Sequence, residues 1–169
     1  MTEPKLWSFY TNDPAPMLSG GCIALARPDA FDLSTLCATR DAFRASVNDV
    51  VEANLLYRFA HEVREGDFVL LRSGHGRPVD IGRVTGDYAF DGGEHRRKVR
   101  WIKRMTPDDI SGGAMREITY ASASPLFEVR RHAAEFLAAL GLNPRPVPVG
   151  ASHAERFAER WGYRSGKSA

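Results

Sequence analysis

The sequence predicts an α+β fold, with a mostly antiparallel β-sheet, helices inserted after the second strand and a short helical extension at the C-terminus. The sheet is indicated by residues 66–104, where the runs FVLL, VDIGRV and RKVRWI are rich in β-branched and aromatic residues and are separated by glycine-containing turns. The helices are indicated by residues 29–60, in which apolar side chains recur at spacings of three and four. Residues 131–140 carry an apolar stripe followed by Gly141, which is typical of the end of a helix.

The first elements of the chain follow from its aromatic residues and prolines. KLWSFY, at residues 5–10, is predicted to be a strand because three of its six residues are aromatic. TNDPAP ends that strand, since its two prolines cannot continue a ladder of backbone hydrogen bonds. GGCIALAR, at residues 20–27, predicts a second short strand, and DLSTL offers a cap that opens the helical region after it.

The elements after residue 104 are a loop, a strand, a helix and a tail. TPDDISGGAM predicts a loop with one helical turn, and ITYASASPLFEV predicts a final strand interrupted by small residues. NPRPVPVGA is typical of an extended linker, and HAERFAERWGY predicts one or two further amphipathic turns. We therefore divide the chain into a domain at residues 1–130 and a helix, linker and tail at residues 131–169.

Composition places the chain among ordinary globular proteins with a locally basic surface. The 169 residues are 43% hydrophobic and 26% charged, and no run has the length of a signal peptide or a membrane span. Cys22 and Cys37 are too few for a disulfide framework and lack zinc-ligand spacing, so we expect a reducing, cytoplasmic setting. The net charge is only +2, yet residues 72–104 hold nine Lys or Arg against four acids. Any attraction for phosphate would therefore come from one locally basic face of the protein rather than from its net charge.

The spacing of residues 66–104 resembles a known family, the PUA-like (EVE-related) domain at the N-terminus of predicted Mrr-type restriction endonucleases. In that pattern a Gly-Asp turn opens a strand, an IG-V-G-Y strand follows, and an H-R-x-V-x-W strand closes the sheet. The matching positions here are Gly66, Asp67, Ile81, Gly82, Val84, Gly86, Tyr88, His95, Arg96, Arg97, Val99 and Trp101. LWSFYTND resembles the first strand of the family, and SASPLFEV is similar to its final strand, so the likeness spans residues 5–130.

The resemblance implies a partly open, mostly antiparallel β-barrel that reads nucleic acid. The family usually continues into a nuclease domain, whereas residues 131–169 contain no PD-(D/E)xK-like arrangement of acids and lysine. We therefore expect a reader that acts without its own nuclease, with a separate partner nuclease as one possibility. The predicted ligand is DNA that bears a modified base, in a restriction or defence context. An RNA-binding PUA-like module and a module that docks a nuclease or toxin are the alternatives.

A reader of this kind takes one base out of the stack and holds it beside the barrel. Removing a base costs a few kcal/mol, which aromatic stacking and hydrogen bonds to the base edge must offset. The residues predicted to line this base pocket are aromatic or polar: Trp7, Ser8, Tyr10, Asn12, Asp13, Ser73, Tyr88 and Phe90. The residues predicted to contact phosphate are Arg96, Arg97 and Lys98.

Several of these residues have a second, purely structural interpretation. Alternation along KLWSFY puts Trp7 and Phe9 on one face, so Trp7 belongs either to the pocket or to the core. Trp101 is expected in the core. The charges of RRKVRW indicate either a phosphate contact or a strand face exposed to solvent. Ser73, in its structural interpretation, is the first residue of a flexible hairpin turn. The sequence predicts no catalytic residues, no cofactor and no metal site, because its five histidines are dispersed and lack i, i+4 spacing.

Overall fold

The fold is a six-stranded open sheet covered by helices on both faces. The computed structural model describes residues 3–74, 76–110, 112–120 and 124–142. The strands follow one another across the sheet in the order β2-β5-β4-β3-β1-β6. Their bounds are β1, Leu6–Tyr10; β2, Cys22–Ala26; β3, Phe68–Ser73; β4, Arg77–Asp91; β5, Glu94–Arg104; and β6, Leu126–Val129.

Helices precede, separate and follow these strands. The α-helices are α1, Ala15–Gly20; α2, Arg40–Ser46; α3, Val50–Tyr57; α4, Gly112–Tyr120; and α5, Ala133–Ala139. Thr39 caps α2 by accepting a hydrogen bond from Ala42 N, and Asp49 caps α3 by accepting from Val51 N and Glu52 N. A π-helix over Arg58–Glu62 continues α3, and short 3₁₀ turns lie at Leu33–Thr35 and Pro107–Asp109.

The predicted α+β class and the mostly antiparallel sheet are confirmed. β3, β4 and β5 form the expected antiparallel meander, and two helices follow β2. The sheet remains open, with β2 and β6 at its edges, rather than closing into a barrel. One pairing was not anticipated: β1 runs parallel to β3, with Leu6 opposite Phe68 and Tyr10 opposite Arg72.

The prediction that ITYASASPLFEV forms one strand is wrong for its first residues. Gly112–Tyr120 is a helix, and the strand occupies only Leu126–Val129. Ala114 and Ile118 are buried four residues apart, so they form the apolar stripe that attaches α4 to the sheet. Apolar spacing of four therefore outweighs the strand preference of the Ile-Thr-Tyr run, because it allows one helical face to be buried.

Each face of the sheet covers its own apolar core. On one face, β1, β3 and β6 pack against α4 and α5 through residues that include Leu6, Phe68 and Phe136. On the other face, Phe9, Val69 and their neighbours pack against α1, α3 and the π-helix. Because both faces of β1 and β3 are buried, these strands are apolar at successive positions and do not alternate with polar residues.

The extension at α5 packs onto the same core as the strands. Phe136 and Leu137 are each 1% exposed and belong to the cluster that contains Leu6 and Phe68. The chain leading into α5 is held by the Glu117 carboxylate, which accepts hydrogen bonds from the backbone N–H groups of residues 130–132 at 2.6–3.1 Å. The proposed division at residue 130 stays a prediction. The predicted linker and final amphipathic turns, at residues 143–169, lie outside the described residues.

The carboxylate of Asp67 ties the parallel pair together. Asp67 is 5% exposed and accepts hydrogen bonds from three donors: Lys5 N at 3.0 Å, Trp7 Nε1 at 2.8 Å and Arg64 N at 2.9 Å. Two of these donors belong to the chain around the start of β1, and the third lies in the turn that leads into β3. One side chain thus sets how β1 lies beside β3.

We expect Asp67→Asn to destabilise the fold by about 2–4 kcal/mol, because an amide loses the charge and presents an N–H₂ to donors that need acceptors. The free energy of unfolding in urea measures the effect. Asp87→Asn, at an exposed position of β4, is the matched control and should change stability by less than about 0.5 kcal/mol. Equal stability of the two variants would contradict the assigned role of Asp67.

Gly82 is the glycine of the sheet at which a side chain has least room. A Cβ there would lie 2.5 Å from Val99 Cγ1, 2.7 Å from Trp101 Cε3 and 2.9 Å from Arg100 O. These distances are shorter than van der Waals contact, and one of the atoms belongs to the backbone. β5 can therefore approach β4 only because residue 82 has no side chain.

Gly82→Ala is expected to cost about 2 kcal/mol or more in the free energy of unfolding, since the added methyl group forces β4 and β5 apart. Gly112→Ala is the matched control, because a Cβ at Gly112 meets nothing within 4 Å. Thermal and urea unfolding of both variants measure the difference. A Gly82→Ala protein as stable as Gly112→Ala would show that the strands relax freely around the added methyl group.

Candidate functional site

A cleft of about 680 Å³ lies where the chain leaving β1 meets α1 and the edge strand β2. Its apolar part includes Phe9, Met17 and Leu25, and its polar part comes mainly from the segment after β1 and from β5. The residues that line it are Phe9, Tyr10, Thr11, Asn12, Asp13, Pro16, Met17, Gly20, Cys22, Ala24, Leu25, Ala26, Arg27, Glu94, Arg96 and Pro125.

The polar wall is a short ordered turn after β1. Thr11 Oγ1 accepts a hydrogen bond from Asp13 N at 3.2 Å, which closes the turn. The Tyr10 hydroxyl lies 2.7 Å from Gly74 O and 3.0 Å from Asn12 Oδ1, so either oxygen can accept its proton. The Asn12 and Asp13 side chains remain exposed in this turn, where they can meet a ligand.

The opposite wall is α1, which is held in place by a tryptophan from β5. The indole Nε1–H of Trp101 donates to Met17 O at 2.9 Å, and Met17 is buried in the adjoining core. Gly21, at φ +60°, ends the helix and directs the chain into β2. Trp101 is partly buried against this core, so the prediction that it packs structurally agrees with its position.

Small residues of β2 leave room along the edge of the sheet. Cys22, Ala24 and Ala26 all line the cleft, and across the ladder Ala24 pairs with Arg96 and Cys22 with Lys98. Paired residues project to the same face, so the cations stand beside short side chains rather than bulky ones. Burial raises the pKa of the Cys22 thiol, which makes a thiolate at this position unfavourable.

The charges that line the cleft balance one another. Arg96 Nη2 lies 2.9 Å from Glu94 Oε2, and Arg96 Nη1 lies 3.6 Å from Asp91 Oδ2. The hydrogen bond with Glu94 raises the pKa of the Arg96 guanidinium, which remains charged. Arg27 Nε pairs at 2.5 Å with Glu52 Oε1. A ligand phosphate at Arg96 would therefore have to compete with carboxylates.

The structure brings four predicted residues into this one cleft: Tyr10, Asn12 and Asp13 from the expected base pocket, and Arg96 from the expected phosphate contacts. Lys98 is exposed two residues along β5 from Arg96, on the same face of the strand. These five side chains come from segments more than 80 positions apart in the sequence.

Three predicted residues are corrected because they are buried. Trp7 is 0% exposed and its indole donates to Asp67, so it is a core residue and cannot stack on a base. Ser8 is 0% exposed and its hydroxyl accepts from Arg72 Nε. Arg97 is 4% exposed and donates to Phe59 O at 3.0 Å and to Ala60 O at 2.6 Å, so it stabilises the π-helix rather than contacting phosphate.

The remaining predicted residues lie outside the cleft lining. Tyr88 Oη accepts from Leu33 N at 3.0 Å and lies 2.8 Å from His95 Nδ1. Phe90 packs its ring 5.5 Å from the His95 ring. Ser73 ends β3 in a partly exposed position. Tyr88 and Phe90 therefore form a cluster around His95, on the strand pair that carries Arg96.

Sequence reasoning did not anticipate α1, Cys22 and the two alanines of β2 as parts of the cleft. The available signal was the alternation of small residues, Cys22, Ala24 and Ala26, along a predicted edge strand. Within the described part of the chain, no group of three or more His, Cys, Asp or Glu side chains could hold a metal ion. The helices of that part are all too short or too polar to cross a bilayer.

Comparison with protein families identifies a family that corresponds to most of the chain. The model of a domain of unknown function, DUF8426, matches residues 15–123. Because this segment is more than half of the chain, the protein belongs to the DUF8426 family. The match includes α1, β2 and β5, which form one side of the cleft, and begins just after the polar turn that forms the other side. No curated protein matches the chain.

Stability should fall as the pH is lowered from about 7 to 5, because the buried His95 and the partly buried His61 must become charged. Burial is the main cause that lowers the pKa of His95 and of His61 below their ordinary value of 6.5. Tyr88 Oη accepts from Leu33 N and lies 2.8 Å from His95 Nδ1, so a neutral His95 can accept the phenol proton at that nitrogen. Below pH 6.5 the unfolded chain binds protons that the folded chain does not, so the free energy of unfolding decreases.

Urea unfolding at several pH values measures this dependence. His95→Gln should weaken the decrease between pH 7 and 5, and the double variant with His61→Gln should weaken it further. If His95→Gln lost stability toward pH 5 as steeply as the unmodified protein, His95 would not be a source of the effect.

Proposed function

We propose that this member of the DUF8426 family is a non-catalytic, PUA-like nucleic-acid-binding module that reads a modified base in DNA, in a restriction or defence context. The observation that carries the proposal is the cleft. It joins Tyr10, Asn12 and Asp13 to Arg96, so groups suited to a base edge lie next to a cation suited to a phosphate.

The size and lining of the cleft support a base as the ligand. A volume of about 680 Å³ lies within the range of about 300–1,000 Å³ that is typical of small-molecule sites. Pro16, Ala24 and Ala26 supply accessible apolar surface for the faces of a base. Asn12 carries both an amide donor and a carbonyl acceptor, and Asp13 is an acceptor, so together they can discriminate between base edges.

The exposed cations of β5 support contact with the sugar–phosphate backbone. Arg96 and Lys98 project from the same face of the strand about 7 Å apart, since alternate residues of a strand share a face. Their partners across the ladder, Ala24 and Cys22, have short side chains, so the space beside the two cations stays open. A base in the cleft would therefore leave its flanking phosphates near these two side chains.

The physical roles of two motif residues support the PUA-like part of the proposal. Asp67, from the Gly-Asp turn of the resemblance, accepts three hydrogen bonds that join β1 to the entry of β3. Gly82, from the IG-V-G-Y strand, permits the close approach of Val99 and Trp101. The residues that suggested the resemblance thus hold the strands whose ends form the cleft. A partner nuclease remains a prediction.

Arg96→Gln and Lys98→Gln should each weaken binding to every oligonucleotide sequence, because phosphate contacts carry no base information. Each substitution should also reduce the slope of log K against log salt by about 0.7–0.9. Asn12→Ala should instead reduce the preference for one base or modification by about 1–3 kcal/mol. Fluorescence anisotropy with matched modified and unmodified strands, at several salt concentrations, measures both effects.

Arg116→Gln is the control for the charge changes, since Arg116 is exposed on α4 and does not line the cleft. Flat binding to every modified and unmodified DNA strand, even at low salt, would disprove the proposed function. RNA strands of the same sequence form a second arm, and tighter binding to them would assign the cleft to RNA instead.

A further inference from the structure

Arg72 is a completely buried arginine whose charge has no counter-ion among the described residues. Arg72 is 0% exposed, and its Nη1 and Nη2 atoms have no hydrogen-bond partner within the parts of the chain that the structure describes. Its Nε donates to Ser8 Oγ. This leaves one edge of the guanidinium, with two of its three nitrogens, without an acceptor.

An unpaired arginine in this position is costly because arginine does not lose its proton in proteins. Burial lowers the pKa of Arg72, and the largest opposing influence is the phenol of Tyr10, not a carboxylate. Buried charges are normally paired, and a buried cation without an anion recovers only part of the hydration that it loses. The arrangement therefore suits a site whose anion arrives with a ligand.

The surroundings of Arg72 hold its guanidinium in a fixed position. The Arg72 Cζ atom lies 5.8 Å from the ring centre of Tyr10 and 5.1 Å from that of Phe127, so two aromatic rings flank the charge. A Cβ on Gly76 would lie 3.6 Å from Nη1, so the backbone passes close to that nitrogen. Gly76 has φ +78°, a conformation that glycine adopts readily.

The unused donors form a set of three. Ser8 Oγ accepts from Arg72 Nε, and its own proton goes to no acceptor among residues 3–74, 76–110, 112–120 and 124–142. The Ser8 oxygen, Nη1 and Nη2 are thus three donor atoms that lie close together. A phosphomonoester presents three terminal oxygens and a charge of about −1.5 to −2, which matches three donors and one unpaired cation.

We propose that Arg72 and Ser8 form a binding site for a phosphomonoester, reached past the side chain of Tyr10. Tyr10 belongs to both the cleft and the surroundings of Arg72: its partly exposed side chain lines the cleft, and its ring covers the guanidinium. A phosphodiester carries two ester groups, and both would have to leave such a buried position. A phosphomonoester carries only one. The site therefore takes a terminal phosphate, free or on a nucleotide. The inference does not rest on the proposed reading of bases, because Arg96 and Lys98 play no part in it.

The test compares inorganic phosphate, deoxycytidine 5′-monophosphate and deoxycytidine as ligands of the full chain, at constant ionic strength in chloride. Isothermal calorimetry and the phosphate dependence of thermal stability are the measurements. Both phosphate-bearing ligands should bind saturably, and deoxycytidine should bind at least about tenfold more weakly than its monophosphate. A mononucleotide that binds while inorganic phosphate does not would contradict the proposal, since it would place recognition on the base or sugar.

Arg72→Met should reduce the affinity for inorganic phosphate by at least about tenfold, because two charged donors are lost. Arg83→Met is the matched control: Arg83 is 1% exposed, lies 4.5 Å over the Phe68 ring, and donates to Gly66 O at the opposite end of β3. Its phosphate affinity should equal that of the unmodified protein. If Arg72→Met and Arg83→Met gained the same stability from phosphate, the gain would be a general salt effect and the proposal would be wrong.

Ser8→Ala keeps the proposal testable if Arg72→Met fails to fold. Losing one neutral donor should weaken phosphate binding about fivefold while Arg72 remains. Ser8→Ala with unchanged phosphate affinity would overturn the three-donor arrangement, and with it the choice of phosphate.

Discussion

The carboxylate of Asp67 is the interaction on which the arrangement of the molecule depends. β1 and β3 run parallel, so no tight turn can join them, and their alignment must come from contacts between distant parts of the chain. Asp67 supplies that contact by accepting hydrogen bonds from the chain at the start of β1 and from the turn before β3. Because the strands are parallel, their carboxyl ends lie at the same edge of the sheet. Tyr10 and Arg72 are therefore neighbours, and both candidate binding sites follow from that adjacency.

The strands could be predicted because their sequences contain runs of β-branched and aromatic residues separated by glycines. Which faces of the strands are buried could not be predicted. Alternation distinguishes inside from outside only when one face of a sheet meets water, and both faces of β1 are covered. Trp7 illustrates the difficulty, because its ring is suited equally to a pocket and to a core. Its position depends on a hydrogen bond to the carboxylate of Asp67, which is 60 positions away in the sequence. Pairing of β1 with β3 is likewise a long-range property that local pattern does not contain.

Only part of the candidate site could be predicted, because local sequence shows exposed features but not which side chains become buried. Tyr10, Asn12 and Asp13 were found because a polar turn after an aromatic strand is an exposed feature, and Arg96 because cations are dense on β5. Arg97 looked equivalent to Arg96 in the sequence, yet it is buried because a π-helix presents two free carbonyl oxygens to its guanidinium. Arg72 was missed although one charge inside the apolar run FVLLRS was visible. A buried arginine is recognised as unusual only when its lack of a counter-ion is known.

The balance of charge in the cleft bears on how a nucleic-acid reader of this shape would work. Arg96 is paired with Glu94 and lies near Asp91, so a phosphate at Arg96 must replace an interaction that already exists. The net gain from that exchange is small, and it leaves the carboxylates near an anion. Affinity would then have to come mainly from the apolar floor of the cleft and from hydrogen bonds to the base edge, which depend on the chemistry of the base. A cleft whose two arginines are already paired with carboxylates therefore favours discrimination between bases over tight binding to any strand.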